Sequence, residues 1–139
     1  MINEPEADFF GKLAFSGKDI DIQAMIASGV DLNKTGSNGW TPLMMAIEGD
    51  QPKTLEVLLE NGANPNKQTE LDGFTPLHLA VDYAIDGMIQ NNKSKPFPEP
   101  IECIRILLKY GADITIKDNS GKTPLDLYPG TREILTEFE

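Results

Sequence analysis

The triplet Thr-Pro-Leu occurs three times, at Thr41-Pro42-Leu43, Thr75-Pro76-Leu77 and Thr123-Pro124-Leu125. Each copy follows a glycine and one variable residue: Gly39-Trp40, Gly73-Phe74 and Gly121-Lys122. The starts lie 34 residues apart (41 to 75) and then 48 apart (75 to 123). A second series tracks the first: Ser28-Gly29-Val30-Asp31-Leu32-Asn33, Asn61-Gly62-Ala63-Asn64-Pro65-Asn66 and Tyr110-Gly111-Ala112-Asp113-Ile114-Thr115. Two independent markers thus agree on one short period and on one unit carrying about 15 extra residues. Self-similarity of this kind means stacked units, none of which buries its own apolar face alone.

Within each period the residues read as helix, turn, helix and loop. Thr is a favoured N-cap and Pro is pre-organised for the first helical position, so Thr-Pro-Leu is a helix start. Leu43, Met44, Ala46 and Ile47 form an apolar stripe at helical spacing until Gly49-Asp50 interrupts it. Pro52 opens a second helix with Leu55, Val57, Leu58 and Leu59 on its apolar face and Gly62 as its stop. Ile101, Cys103, Ile104, Ile106, Leu107 and Leu108 repeat that face and end at Gly111. Ahead of them, Phe9, Phe10, Leu13 and Ala14, a turn at Gly17, and Ile20, Ile22, Met25 and Ile26 form a first unit closed by Gly29. Helices this short are marginal alone, so neighbouring units must supply the core.

Thr75-Pro76-Leu77-His78-Leu79-Ala80 resembles the opening signature of the ankyrin repeat. Leu58-Leu59-Glu60-Asn61-Gly62-Ala63-Asn64 and Leu107-Leu108-Lys109-Tyr110-Gly111-Ala112-Asp113 resemble its closing segment. The resemblance runs from about Ala7 to Phe138 and implies an all-α solenoid of stacked helix–turn–helix repeats with β-hairpin loops between them. One domain is expected, with an N-cap repeat at about 3–35, a second repeat at about 37–70, a third at about 71–118 and a C-cap repeat at about 119–139.

Three departures carry expectations of their own. Asp8-Phe9-Phe10 stands where Thr-Pro-Leu would, so the first helix is expected to begin earlier, near Asn3. Tyr128-Pro129-Gly130 shortens the last unit, leaving a second helix at about Thr131–Phe138. The third unit carries an insertion over about Ala84–Ile101. There the four-residue spacing of Ala80, Ala84 and Met88 extends the first helix, and Pro96-Phe97-Pro98-Glu99-Pro100 is expected to return as a stiff extended segment.

Charge narrows the partners. Twelve Lys and Arg against 22 Asp and Glu give a net charge of −10, which repels phosphate backbones and anionic headgroups. Neither nucleic acid nor a membrane is expected. One Cys and one His exclude a disulfide framework, a thiolate-rich zinc site and a His-rich metal site. The acidic start Met1-Ile2-Asn3-Glu4-Pro5-Glu6 is unlike a signal peptide, and a cytoplasmic monomer without cofactor is the expected setting.

Candidate chemistry is sparse. In the resembled family His78 is a structural residue that ties helix-start loops together, and no nucleophile lies at a spacing that would recruit it. Cys103 falls on an apolar helix face, as do Met25, Met44, Met45 and Met88. Gly121-Lys122-Thr123 imitates a phosphate loop, but Ile116 occupies the position of the required first glycine. Asp118-Asn119-Ser120-Gly121 reads as a turn, since calcium-loop spacing is absent. Asp82 and Asp86, four apart on one helix, are the basis of a remote carboxylate-dependent hydrolase reading.

The resemblance implies that binding occurs on the concave face, at the hairpins and the exposed positions of each first helix. Those positions are Trp40, Glu48, Phe74, Asp82, Tyr83 and Lys122, with Ser37, Asn38, Leu71, Asp72, Asn119 and Ser120 at the hairpin tips. The expected function is a non-catalytic protein–protein interaction module for a basic or mixed-charge protein partner. The alternative is an inhibitor or immunity-type protein that neutralises a basic toxin or enzyme. Glu60, on the outer helix, is expected to be silent in binding.

Overall fold

The computed structural model describes residues 5–90 and 98–127, with side chains described at 5–84 and 102–127. The expected helix at Thr131–Phe138, the Tyr128-Pro129-Gly130 break, most of the insertion and the side chain of Asp86 lie outside the described residues. Seven helices are described: α1 (Glu6–Ser16), α2 (Asp19–Ala27), α3 (Pro42–Glu48), α4 (Pro52–Glu60), α5 (Pro76–Gln90), α6 (Pro98–Lys109) and α7 (Pro124–Leu127). Each unit pairs an inner helix with the next outer one, as α1 with α2, α3 with α4, and α5 with α6. The inner helices α1, α3, α5 and α7 stack in one layer, and α4 stacks on α6 in the other. Among the described residues none of these helices is long and apolar enough to cross a membrane.

The core lies between the layers. Phe10, Leu43, Met44, Leu55, Leu58, Leu77, Ile104 and Leu107 are almost wholly buried, each drawn from the apolar face expected of its helix. Full burial of one such side chain is worth about 1.5–3 kcal/mol, which these short helices cannot supply singly. Truncating Leu58, shared between α4 and its neighbours, costs about 2–5 kcal/mol. Close approach of α1 to the α3 turn requires Gly49, where a Cβ would meet the Phe15 carbonyl oxygen at 2.0 Å. Two residues of the N-terminal unit depart from the expected core. Phe9 is 48% exposed and Ile20 85% exposed, because no unit stacks on that side of α1 and α2 among the described residues.

The glycine series ends the outer helices in one shared way. Gly29, Gly62 and Gly111 have φ of 93°, 99° and 96°, a region that suits glycine. The following N–H groups of Val30, Ala63 and Ala112 then reach back to the carbonyls of Met25, Leu58 and Leu107, the six-to-one bond of a Schellman cap. Two residues past each glycine, Asp31, Asn64 and Asp113 accept the N–H of Asn33, Asn66 and Thr115. The next rung crosses repeats. Asn33 Oδ1 accepts the Asn64 N–H at 2.6 Å, and Asn66 Oδ1 accepts the Asp113 N–H at 2.7 Å.

Helix α1 does begin ahead of Asp8-Phe9-Phe10, at Glu6, where the Pro5 carbonyl accepts the first helical N–H groups; Asn3 lies outside the described residues. Two expectations need correction. Pro98, Glu99 and Pro100 form the first turn of α6 instead of an extended return. Proline is at ease there because first-turn N–H groups have no intrahelical acceptor. The loops between repeats close as tight turns, and no strand forms among the described residues. One outer backbone bond closes each: Gly36 to Trp40, Thr69 to Phe74 and Asp118 to Lys122. A pair of such short arms cannot extend a ladder, since the helix starts two residues after each.

Candidate interaction surface

The inner helices and the turns before them share one side of the stack. Its main groove encloses about 230 Å³ and is lined by Trp40, Asp72, Phe74, Asp82 and Tyr83 from the expected set. Met44, Thr69 and Leu79 complete it. The turn places Trp40 directly: its backbone N–H bonds Asn38 Oδ1 at 3.0 Å and its carbonyl accepts the Gly36 N–H at 3.0 Å. Phe74 is held on one side by the His78 ring, with centroids 5.2 Å apart and planes 21° apart. Thr69 Oγ1 bonds the Phe74 N–H from below.

Two smaller depressions adjoin the groove through shared walls. Trp40 also borders one lined by Asp8, Lys12, Ser37 and Asn38. Tyr83 also borders one lined by Ile47, Glu48, Asp50 and Cys103. Trp40 and Tyr83 therefore each wall two of the three hollows. The main groove and the Glu48 hollow carry Glu48, Asp50, Asp72 and Asp82 and no lysine or arginine.

The other expected positions lie apart from these hollows. Leu71 is 86% exposed at its turn, where its carbonyl accepts Asn119 Nδ2 at 2.9 Å. The Asn119 N–H bonds the Asp72 carbonyl at 2.9 Å, so Asn119 welds adjacent turns. The Ser120 hydroxyl bonds Asp118 Oδ1, and Lys122 contributes its backbone to the same carboxylate while its side chain is exposed. Ser37 has a structural task as well: its N–H and hydroxyl both bond the Asp8 carboxylate. Those Ser37 hydrogen bonds, hydroxyl first, hold the Asp8 carboxyl below its usual range.

Sequence reasoning missed Met44, Thr69 and Leu79 as groove walls: Met44 belongs to its helix's apolar stripe, no motif marks Thr69, and all three are largely buried. Asp50, read only as part of the Gly49-Asp50 break, has a φ of 56° and also lines a hollow. On the outer layer, Glu60 Oε1 accepts the Tyr110 hydroxyl at 3.3 Å.

The chemistry elsewhere is structural. His78 and Cys103 are buried. Burial, with Asp50 and Glu102 nearby, pushes the Cys103 thiol up to about 12. Among the described residues no group of three His, Cys, Asp or Glu side chains is placed to hold a metal.

Comparison with known proteins gives one consistent result. A family model described as ankyrin repeats (3 copies) matches residues 12–92, and one described as ankyrin repeat matches residues 72–119. The chain is 38% identical over 111 residues to putative ankyrin repeat protein FPV031 of fowlpox virus, covering 76% of this chain and 28% of that one. It is 30% identical over 115 residues to ankyrin repeat and SOCS box protein 6 of Mus musculus, covering 82% and 24% respectively. It is 31% identical over 109 residues to neurogenic locus notch homolog protein 1 of Homo sapiens, covering 69% and 4%. The chain thus spans less than a third of the length of each of these relatives.

Proposed function

Since this chain belongs to the ankyrin repeat family, we propose that it is a non-catalytic interaction module that grips a basic or mixed-charge protein through its concave face. The observation that carries this reading is the groove in which Trp40, Phe74 and Tyr83 converge. Half-buried aromatics on a rigid helical layer offer large contact area at little entropic cost, and such residues dominate binding hot spots. The net charge of −10 favours a basic partner, chiefly through encounter rate and exclusion of acidic competitors. The Asp82 carboxylate, which lines the groove with Asp72, fits a polar rim better than acid–base work.

The test is calorimetry with a partner recovered by cross-linking to the intact chain. Trp40→Ala should weaken binding by about 2 kcal/mol or more while a melting curve shows the repeat stack intact. Unchanged affinity would move the interface off this face. The same charge also supports a second reading, that the partner is a basic toxin or enzyme held inactive. Assaying the partner's activity with and without the chain separates a scaffold from an inhibitor.

A further inference from the structure

We infer that the Trp40–Phe74–Tyr83 groove receives a single arginine side chain presented by an extended segment of the partner. This inference rests on the interaction reading and adds the chemistry of what is recognised. Three features of the groove point the same way. Its volume of about 230 Å³ lies below the roughly 300–1,000 Å³ typical of small-molecule sites, so it suits one long side chain. Three aromatic rings line it, and ring faces attract a cation while packing against its aliphatic stem. Asp72 and Asp82 stand in the same wall, and the adjoining hollow beyond Tyr83 adds Glu48 and Asp50.

Arginine fits this set better than lysine. Its guanidinium is planar, stacks on aromatic faces and presents several donors at once, so one head can lie against a ring and still reach a carboxylate. An ammonium is a compact, strongly hydrated charge and loses more water on entering an aromatic slot. A free anion is disfavoured by the carboxylates, and an apolar side chain would make no use of their charge. The flanking hollows, which share Trp40 and Tyr83 as walls, give the neighbouring residues of an extended segment somewhere to lie.

Trp40 is the sole tryptophan of the chain, so its emission reports on this groove and the hollow that shares its wall. The intact protein is titrated with an acetylated, amidated Gly-Gly-Arg-Gly-Gly peptide, and with the peptides carrying citrulline or lysine in place of arginine. Arginine should give a saturable change in emission, with citrulline weaker by about tenfold or more and lysine intermediate. Asp72→Asn and Asp82→Asn, each checked by a melting curve, should weaken the arginine response and leave any citrulline response unmoved. Equal responses to arginine and citrulline, or no saturable change up to about 20 mM arginine peptide, overturn the inference. The ligand comparison needs no variant to fold. If the peptide arms fail while Trp40→Ala still abolishes binding of the protein partner, the arginine pocket falls and the interaction module stands. If Trp40→Ala leaves the partner bound, the concave-face reading falls instead.

Discussion

The Nε2 atom of His78 lies 2.9 Å from the carbonyl oxygen of Lys122, joining helix α5 to the turn of the following repeat across 44 residues of sequence. On the other side of the ring, Nδ1 faces the N–H of Thr75 at 3.2 Å and its hydroxyl at 2.7 Å. Nδ1 is therefore the acceptor and Nε2 carries the proton, the tautomer that satisfies both ends of the network. His78→Leu keeps comparable bulk but removes both ends, leaving buried Thr75 groups without that partner. Unfolding free energy should fall by about 1–3 kcal/mol, read from urea midpoints. A change within error would show that the ring is filler.

The equivalent residue one repeat earlier is Met44, and there the bond is missing. Thr41 begins α3 with extended dihedrals but makes no side-chain cap bond, and its buried Oγ1 has no partner among the described residues. In the other two copies the residue three beyond the threonine completes the cap: His78 for Thr75, and Asp126 for Thr123. Met44→His should restore the cap and offer Nε2 to the Phe74 turn. A gain of about 1 kcal/mol in unfolding free energy is expected. A loss would mean that the methionine's packing outweighs both hydrogen bonds.

Acid sensitivity should centre on Asp118. Burial pulls its carboxyl upward, but the Ser120 hydroxyl and the N–H groups of Lys122 and Ser120 outweigh that and hold it below the usual range. A carboxyl depressed in the folded state adds stability that is fully present above its unfolded value of about 3.9 and is lost as pH falls through the folded value. Relief of repulsion among the other carboxylates acts in the opposite sense, so the whole-protein profile mixes both effects. The difference between wild type and Asp118→Asn isolates the one group. It should be constant from pH 7 to about 5 and shrink steadily below about 4. A difference that widens on acidification would reverse the sign.

Cys103 should be inert in the native state. With the thiol buried and raised to about 12, almost none is thiolate at pH 8, and reagent cannot reach it. A chromogenic disulfide should titrate no thiol in native buffer within minutes and one thiol in urea. Prompt native labelling would mean that the α5–α6 pair opens readily.

Much of this architecture is legible in the chain because it is local and repeated. Thr-Pro fixes the starts of α3, α5 and α7 through a missing N–H and a restrained φ, and the glycine stops fix each outer-helix end through a positive φ that other residues resist. Both act within a few residues, so periodicity alone exposes them. The same holds for the concave positions Trp40 and Phe74, which inherit their place from the slot before Thr-Pro.

The tertiary structure decided what depends on residues far apart in sequence. That Asn33 bonds the Asn64 backbone, that Ser37 is engaged by Asp8, and that the Lys122 carbonyl meets the His78 ring are consequences of stacking. No local propensity encodes them, because each partner is supplied by another repeat. Stacking likewise left Phe9 and Ile20 exposed on a unit with no neighbour on that side among the described residues, though their spacing reads as core. It also merged Trp40, Phe74 and Tyr83 into one groove and set Asn119 apart from it. A short-range code sets where helices begin and end; the distance between side chains of different helices is set only when the layers pack.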